Sequence, residues 1–322
     1  MMDESAMMQS PFIRHPSSCA PWPHRLALLL TCATFPLLFI GGLVTSLGVG
    51  LAVPDWPTTF GYNMFLYPWS KMIGGIFYEH SHRLVASSVG LITIALAWTL
   101  WFRESRQWLR WLGVAALGLV IAQGVLGGLR VVLLQHTLAI IHACFAQAFF
   151  ALTVSLALFT SAEWREPVAQ PLTADEGRLR RLATITTALI YLQIVFGAVL
   201  RHTGERIDAH LTIAALVAIH VILLFLRIKR AHRDHARLAR AANFLSLLLL
   251  LQLVLGAAAY FGKFTAMLQW TFAAIVLVTT THLITGALML VTSLVITLRA
   301  FRLTSKAPVA LETKVLAEQY SV

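Results

Sequence analysis

Apolar residues dominate the chain in long continuous runs, and short segments carrying most of the charge separate these runs. Each run is about 20 residues or longer, the length that crosses roughly 30 Å of hydrocarbon as a helix. The runs begin near Arg25, Arg83, Leu112, Leu138, Leu182, His210, Asn243 and Trp270. Apolar and polar residues do not alternate over short stretches, so the strands of a barrel are not expected. The pattern predicts an all-α membrane protein with eight transmembrane helices.

Composition agrees with this class, because 58% of the residues are hydrophobic, 12% are charged and the mean hydropathy is +0.75. The net charge of +11 raises the question of a nucleic-acid partner. Only six of the 25 Lys and Arg residues lie in or beside the connections that follow helices 1, 3, 5 and 7. The remaining nineteen lie at the termini and in the other connections. By the positive-inside rule both termini are cytoplasmic, and the basic excess reflects topology, so no nucleic-acid partner is expected.

A short repeat divides the chain into two halves. The pattern Q-x-V-x-G occurs at Gln123–Gly127, Gln193–Gly197 and Gln252–Gly256, and a weaker echo occurs at Phe39–Val44. Each copy lies near the predicted outer end of an odd-numbered helix, where glycine permits close approach and glutamine can bond across helices. The repeat predicts two tandem pseudo-symmetric four-helix bundles. The predicted divisions are a disordered cytoplasmic tail (1–24), a first unit (25–160), a cytoplasmic linker (161–181), a second unit (182–302) and a cytoplasmic tail (303–322).

Four histidines recur at matched positions on the even-numbered predicted helices. They are His82, His142, His210 and His282. An imidazole is costly in hydrocarbon and tends to mark a functional site there. Two facing imidazoles on bundle helices are the axial ligands that a haem iron needs. Packing explains a single buried histidine, but the matched set favours ligation, so the sequence predicts one haem site per unit.

The first unit carries a carboxylate that the second lacks. At about 100° per residue Glu79 shares a helix face with His82, and we place both in the opening turn of helix 2. The corresponding position before His210 is Ile207, while Asp208 is nearer but off that register. An acid also favours a helix start electrostatically. The asymmetry nevertheless suggests that the first unit does chemistry and the second holds a fixed haem.

Several motifs together resemble one family, the haem A synthases of the CtaA/Cox15 type. The resemblance spans nearly all of the membrane region. The motifs are Gly41-Gly-Leu-Val-Thr45, Pro54-Asp-Trp-Pro57, Glu79-x-x-His82-Arg83, Gln123-Gly-Val-Leu-Gly-Gly128 before His142, Leu200-Arg-His-Thr-Gly204 and Thr281-His282. Many bacterial relatives carry a cysteine on each side of the Pro-Asp-Trp-Pro stretch, but this chain has none there. We hypothesise that the aromatic loop 46–78, which contains this stretch, forms a lid over the first haem site.

The resemblance implies oxidation of the C8 methyl group of haem O to a formyl group, giving haem A for terminal oxidases. It assigns His82 and His142 to the substrate haem iron and Glu79 to catalysis. It assigns His210 and His282 to the iron of a bound haem b. Arg83, Arg201 and His202 are the candidates for binding haem propionates. Two other functions also use four bundle histidines, a dihaem b-type electron-transfer cytochrome and a non-catalytic haem-handling assembly protein, but neither explains Glu79.

The same resemblance implies a set of partners and a location. The expected partners are haem O with the haem O synthase that supplies it, a membrane electron acceptor, terminal oxidase assembly factors and further copies of the chain in a homo-oligomer. We expect a multi-pass protein of the bacterial cytoplasmic membrane. A mitochondrial inner membrane is less favoured, because the acidic start does not resemble an Arg-rich transit peptide.

Overall fold

The computed structural model describes residues 22–166, 176–265, 267 and 269–304. Within these residues eight helices are long and apolar enough to cross a membrane, and no strand is present. The eight are α1 (Trp22–Ser46), α2 (Gly74–Arg103), α3 (Gln107–Leu133), α4 (His136–Thr160), α6 (Glu176–Thr203), α7 (Ile207–Ala231), α8 (Ala236–Phe264) and α9 (Phe272–Leu303). A four-residue helix, α5 (Ala162–Arg165), follows α4. The prediction of an all-α chain with eight membrane helices is confirmed.

The helices pack in two groups. In the first, α1 and α3 each contact both α2 and α4, and in the second, α6 and α8 each contact both α7 and α9. Contacts of α1 with α9, of α4 with α6 and of α4 with α9 join the groups. Each group has its own buried apolar cluster, and a third cluster lies at their junction around Leu38, Phe150 and Ile284. A cavity inside one group can therefore receive side chains from the other.

Several helices begin earlier than the sequence predicts, and α3, α6 and α8 start at Gln107, Glu176 and Ala236. Two further differences bear on the predicted tail and on the site. Helix α1 begins at Trp22, three residues before the predicted start, so the predicted tail is shorter than 1–24. Helix α2 begins at Gly74, nine residues before Arg83, so Glu79 and His82 lie within the helix and the prediction that they open it is wrong. Within the predicted linker 161–181, α5 occupies Ala162–Arg165 and α6 already begins at Glu176. The remaining expectations for the tails and linker fall on residues 1–21, 167–175 and 305–322, outside the described residues.

The short helix α5 ties the end of the first group to the second. The carboxylate of Glu163 accepts two bonds of 3.0 Å from the guanidinium of Arg299 on α9 and lies 3.3 Å from that of Arg237 on α8. Burial alone would raise the pKa of Glu163, but these guanidinium groups lower it below its ordinary value of 4.5. Such charge-assisted bonds hold the two groups together at the predicted cytoplasmic side.

Candidate functional site

A cavity of about 510 Å³ lies within the first helix group, between α1, α2, α3 and α4. This volume is typical of small-molecule and cofactor sites, which are mostly apolar with a few converging polar groups. The imidazoles of His82 on α2 and His142 on α4 both line it. The cavity therefore brings together the two histidines that the sequence assigned to one site.

Each of the four membrane histidines lies against a glycine of the preceding membrane helix. A Cβ added at the glycine would come within 3.0 to 3.2 Å of the imidazole Cε1 atom, which is tighter than ordinary van der Waals contact. The pairs are Gly41 with His82, Gly127 with His142, Gly197 with His210 and Gly256 with His282. Three of these glycines belong to the Q-x-V-x-G repeat, and Gly41 belongs to its echo. The glycines of the repeat therefore leave the space that the imidazole rings occupy.

The glutamines of the repeat reach the same helices as the histidines. The side-chain amide of Gln123 donates to the backbone carbonyl of His142 at 3.2 Å. The amide of Gln193 lies 3.2 Å from both ring nitrogens of His210, and that of Gln252 lies 3.3 Å from Nε2 of His282. The predicted bonding across helices is thus present, but only in the second group does it engage the imidazole itself.

The two histidines of the second group face each other closely. The ring centroids of His210 and His282 are 6.4 Å apart and their planes are inclined by 62°. Since a metal–imidazole nitrogen bond is about 2 Å long, this separation allows one metal ion between the two rings. The Nδ1 atoms of His82, His142 and His282 are buried and have no hydrogen-bond partner among the described residues. Both pairs therefore keep ring nitrogens that a metal centre could engage.

Glu79 is a buried acid beside the first cavity, with an exposed fraction of 4%. Its carboxylate accepts a hydrogen bond from the Val53 backbone N–H at 3.0 Å and one from the Arg83 guanidinium at 2.8 Å. In the second group Ile207 holds the corresponding register position, and the side chain of Asp208 is exposed and pairs with Arg206 at 3.6 Å. The asymmetry seen in the sequence persists in three dimensions.

Arg83 forms hydrogen bonds to the loop between α1 and α2. Besides Glu79, its guanidinium donates to the carbonyls of Val53, Asp55 and Thr58 at 3.0, 2.7 and 3.1 Å. The side chain lines the cavity, but these bonds commit both terminal nitrogens to the protein. The expectation that Arg83 binds a propionate remains a prediction, and the bonds favour a structural role.

Further contacts fasten the same loop to α2. The Nδ1 atom of buried His80 lies 3.1 Å from the hydroxyl of Thr59. The His80 ring packs on Tyr67, and the two ring centroids are 5.1 Å apart. Burial alone would raise the pKa of Asp55, but bonds from the Gly61 N–H, the Thr58 hydroxyl and the Phe60 N–H lower it below 3.8. Sequence reasoning did not single out His80, although its position opposite His82 on the helix was a signal.

The loop reaches the mouth of the cavity through Trp56. Its indole ring lies so close to Gly128 on α3 that a Cβ there would overlap the ring, and Trp56 and Pro57 both line the cavity. This placement supports the lid hypothesis.

We expect Gly128→Ala to loosen the loop, because the added methyl group must displace the indole of Trp56. Limited trypsinolysis in detergent should then cleave after the exposed Lys71 about tenfold faster, since proteolysis follows local opening. Gly124→Ala is the matched control, because a Cβ at Gly124, one helical turn earlier, meets no atom within 4 Å. Equal cleavage rates for the two variants would show that the contact does not hold the loop.

Arg201 and His202, near the end of α6, line the first cavity although they belong to the second helix group. The Arg201 guanidinium donates to the Gly42 carbonyl at 2.8 Å and to the Ser46 hydroxyl of α1 at 2.5 Å. The sequence named both residues as candidates for binding haem propionates without assigning them to either pair of histidines. The fold brings them to the cavity of the first pair, because α6 packs against α4 at the junction of the groups.

Fold and site together define a multi-pass membrane protein with two imidazole pairs and a buried acid beside the first pair. A family model described as cytochrome oxidase assembly protein (COX15-CtaA) matches residues 24–209. A protein of Shouchella clausii (strain KSM-K16) described as heme A synthase is 30% identical over 186 residues, which cover 57% of this chain and 60% of the relative. The chain belongs to the COX15-CtaA family of cytochrome oxidase assembly proteins.

The range of the family match bears on the individual sites. It includes Glu79, His82, His142, Arg201 and His202, and it ends at residue 209, before His210 and His282. The assignment of the second pair of histidines therefore depends on the repeat and on the geometry between α7 and α9.

Proposed function

We propose that the protein is a haem A synthase, which oxidises the C8 methyl group of haem O to a formyl group. Family membership and the similarity to a protein described as heme A synthase support this proposal. The observation that carries it is the buried carboxylate of Glu79, one helical turn before His82 and beside the same cavity. An electron-transfer cytochrome would have no use for this acid in one helix group only.

The second pair of imidazoles fits a resident haem b. Gly197 and Gly256 leave room for the rings, and the ring centroids are 6.4 Å apart. Nδ1 of His282 is buried and has no partner among the described residues. In this role His210 and His282 would hold the haem iron. When bound, the haem supplies one-electron redox chemistry.

In the first cavity His82 and His142 ligate the iron of the substrate, haem O, and so orient the macrocycle. The methyl carbon is hydroxylated twice in succession, each time with an oxygen atom from water, loss of two protons and passage of two electrons to the membrane electron acceptor, and the resulting gem-diol loses water to give the formyl group. The carboxylate of Glu79 can accept a proton from water or stabilise positive charge that develops on this carbon. The loop that Arg83, His80 and Trp56 fasten over the site limits the access of bulk water.

This function also sets the context of the protein. A haem O synthase must supply the substrate, a membrane electron acceptor must take the electrons, and assembly of a terminal oxidase uses the product. The bacterial cytoplasmic membrane, with both termini on the cytoplasmic side, remains our proposed location, and homo-oligomers remain a proposed assembly state.

The test is expression with a haem O synthase in a bacterial host that makes no haem A, followed by chromatography of the extracted haems. We expect haem A only in cells that contain both proteins. Cells that contain both proteins but accumulate haem O and haem b alone would refute the synthase and favour a dihaem cytochrome or a haem-handling protein. Immunoblots of the membrane fraction confirm that the chain is present at equal levels.

A further inference from the structure

The first cavity has an excess of positive charge. The charged residues that line it are Glu79, Arg83, Arg130 and Arg201, three cations against one anion. Arg83 pairs with Glu79, and Arg201 bonds to the carbonyl of Gly42 and the hydroxyl of Ser46. Two guanidinium charges therefore remain without a carboxylate partner among the described residues.

Arg130 is the cation of the cavity whose donors are unused. Its guanidinium makes no hydrogen bond and no ion pair within 4 Å among the residues that the structure describes. It lies against the backbone of Gly50, where a Cβ would overlap Nη2, so this glycine provides the space for it. It lines the same cavity as Glu79, His142 and His202. The guanidinium thus lies among the groups at the first pair of histidines.

The repeat shows that this cation is particular to the first group. Arg130 follows Gln123 by seven residues, and the residues at the same spacing after Gln193 and Gln252 are Leu200 and Ala259. An anionic ligand in the cavity can pair with this cation.

We propose that Arg130 of α3 and His202 of α6 form a carboxylate-binding site, which receives the propionates of the porphyrin in the first cavity. The porphyrin itself rests on the proposed function, whereas the anion site rests on the unpaired guanidinium. Guanidinium binds carboxylate through charge-assisted and often bidentate bonds. The excess of two positive charges matches a ligand with two carboxylates. Because His202 comes from the second helix group, neither group forms this site alone.

The experiment measures binding, independent of turnover. The purified full chain in detergent is titrated with iron protoporphyrin IX and, separately, with its dimethyl ester, and the Soret absorbance gives each Kd. Binding in the first cavity is taken as the part of the Soret change that is lost in the His142→Ala variant. We expect the wild type to bind the diacid about tenfold more tightly than the diester, in keeping with one charge-assisted contact.

Arg130→Gln should abolish this preference by weakening diacid binding about tenfold while leaving diester binding unchanged, and Arg130→Lys should restore part of it. His202→Gln should reduce the preference less strongly. Lys263→Gln is the matched control, because Lys263 is a cation at the corresponding end of α8 and its ammonium packs 5.8 Å from the Phe264 ring centroid, outside the cavity. It should leave both Kd values unchanged.

The anion site is refuted if the wild type binds diacid and diester with equal Kd. It is also refuted if the Arg130→Gln variant keeps the preference for the diacid, or if it binds both ligands more weakly by the same factor. These results are separable from failure of the synthase. A chain that forms no haem A but loses its diacid preference in Arg130→Gln refutes the reaction and supports the site. A chain that forms haem A and keeps the preference in that variant refutes the site alone.

Discussion

Glu79→Gln is expected to lower haem A formation at least 100-fold while leaving the haem b spectrum of the second site intact. A positioned acid–base group contributes about 10²- to 10⁴-fold to a rate, and the amide can neither accept the proton nor provide the negative charge. The amide also places an NH₂ group against the donors of Val53 or Arg83, which both bond to the carboxylate. The measurement is haem A per mole of purified protein, with the spectrum recorded on the same sample.

Two further variants separate chemistry from loop position. Arg83→Gln keeps the carboxylate of Glu79 but removes the guanidinium that donates to three loop carbonyls, so trypsin cleavage at the loop should rise more than haem A falls. Glu104→Gln alters a second buried acid, just beyond the end of α2 and paired with Arg106 at 2.9 Å, and should leave haem A unchanged. If Arg83→Gln is as inactive as Glu79→Gln, then the acid acts mainly by holding the loop.

His282→Ala is expected to remove most of the haem b from the purified protein, because the proposed function makes His282 one of the two residues that hold the haem b iron. Haem A formation should fall with it, since the substrate's electrons must leave the protein. His82 and His142 remain, so iron protoporphyrin IX added to the purified protein should still bind in the first cavity. Pyridine haemochrome analysis gives the haem content per chain.

The matched control is His220→Ala on α7, ten residues beyond His210. The His220 side chain is partly exposed, and its Nδ1 bonds to the Leu216 carbonyl of its own helix at 2.9 Å. This variant should keep its haem b. If the His282→Ala variant kept its full haem b content, His282 would not be a ligand of the haem b iron. That result would refute the proposed haem b site between His210 and His282.

The start of α2 shows where sequence reasoning reached its limit. Glu79, His80 and Arg83 form a polar run that is typical of a membrane interface, so the helix was expected to begin there. In the structure the loop between α1 and α2 supplies their partners, Val53, Thr59 and three carbonyls, in place of water. Because these bonds satisfy the polar side chains within the protein, the helix continues back to Gly74.

The sequence by itself determined the eight membrane helices, the four histidines on alternate spans, and the glutamine and glycine positions that accompany them. Each of these features is encoded within one segment, by its length, its apolar content and its helical period. The tertiary structure alone decided which long side chains share a cavity. It assigns Arg83 to the loop, brings Arg201 and His202 from the second group to the first pair of histidines, and leaves Arg130 without a partner among the described residues. A guanidinium reaches groups on helices that are distant in the chain, so only the packing of those helices determines what it binds.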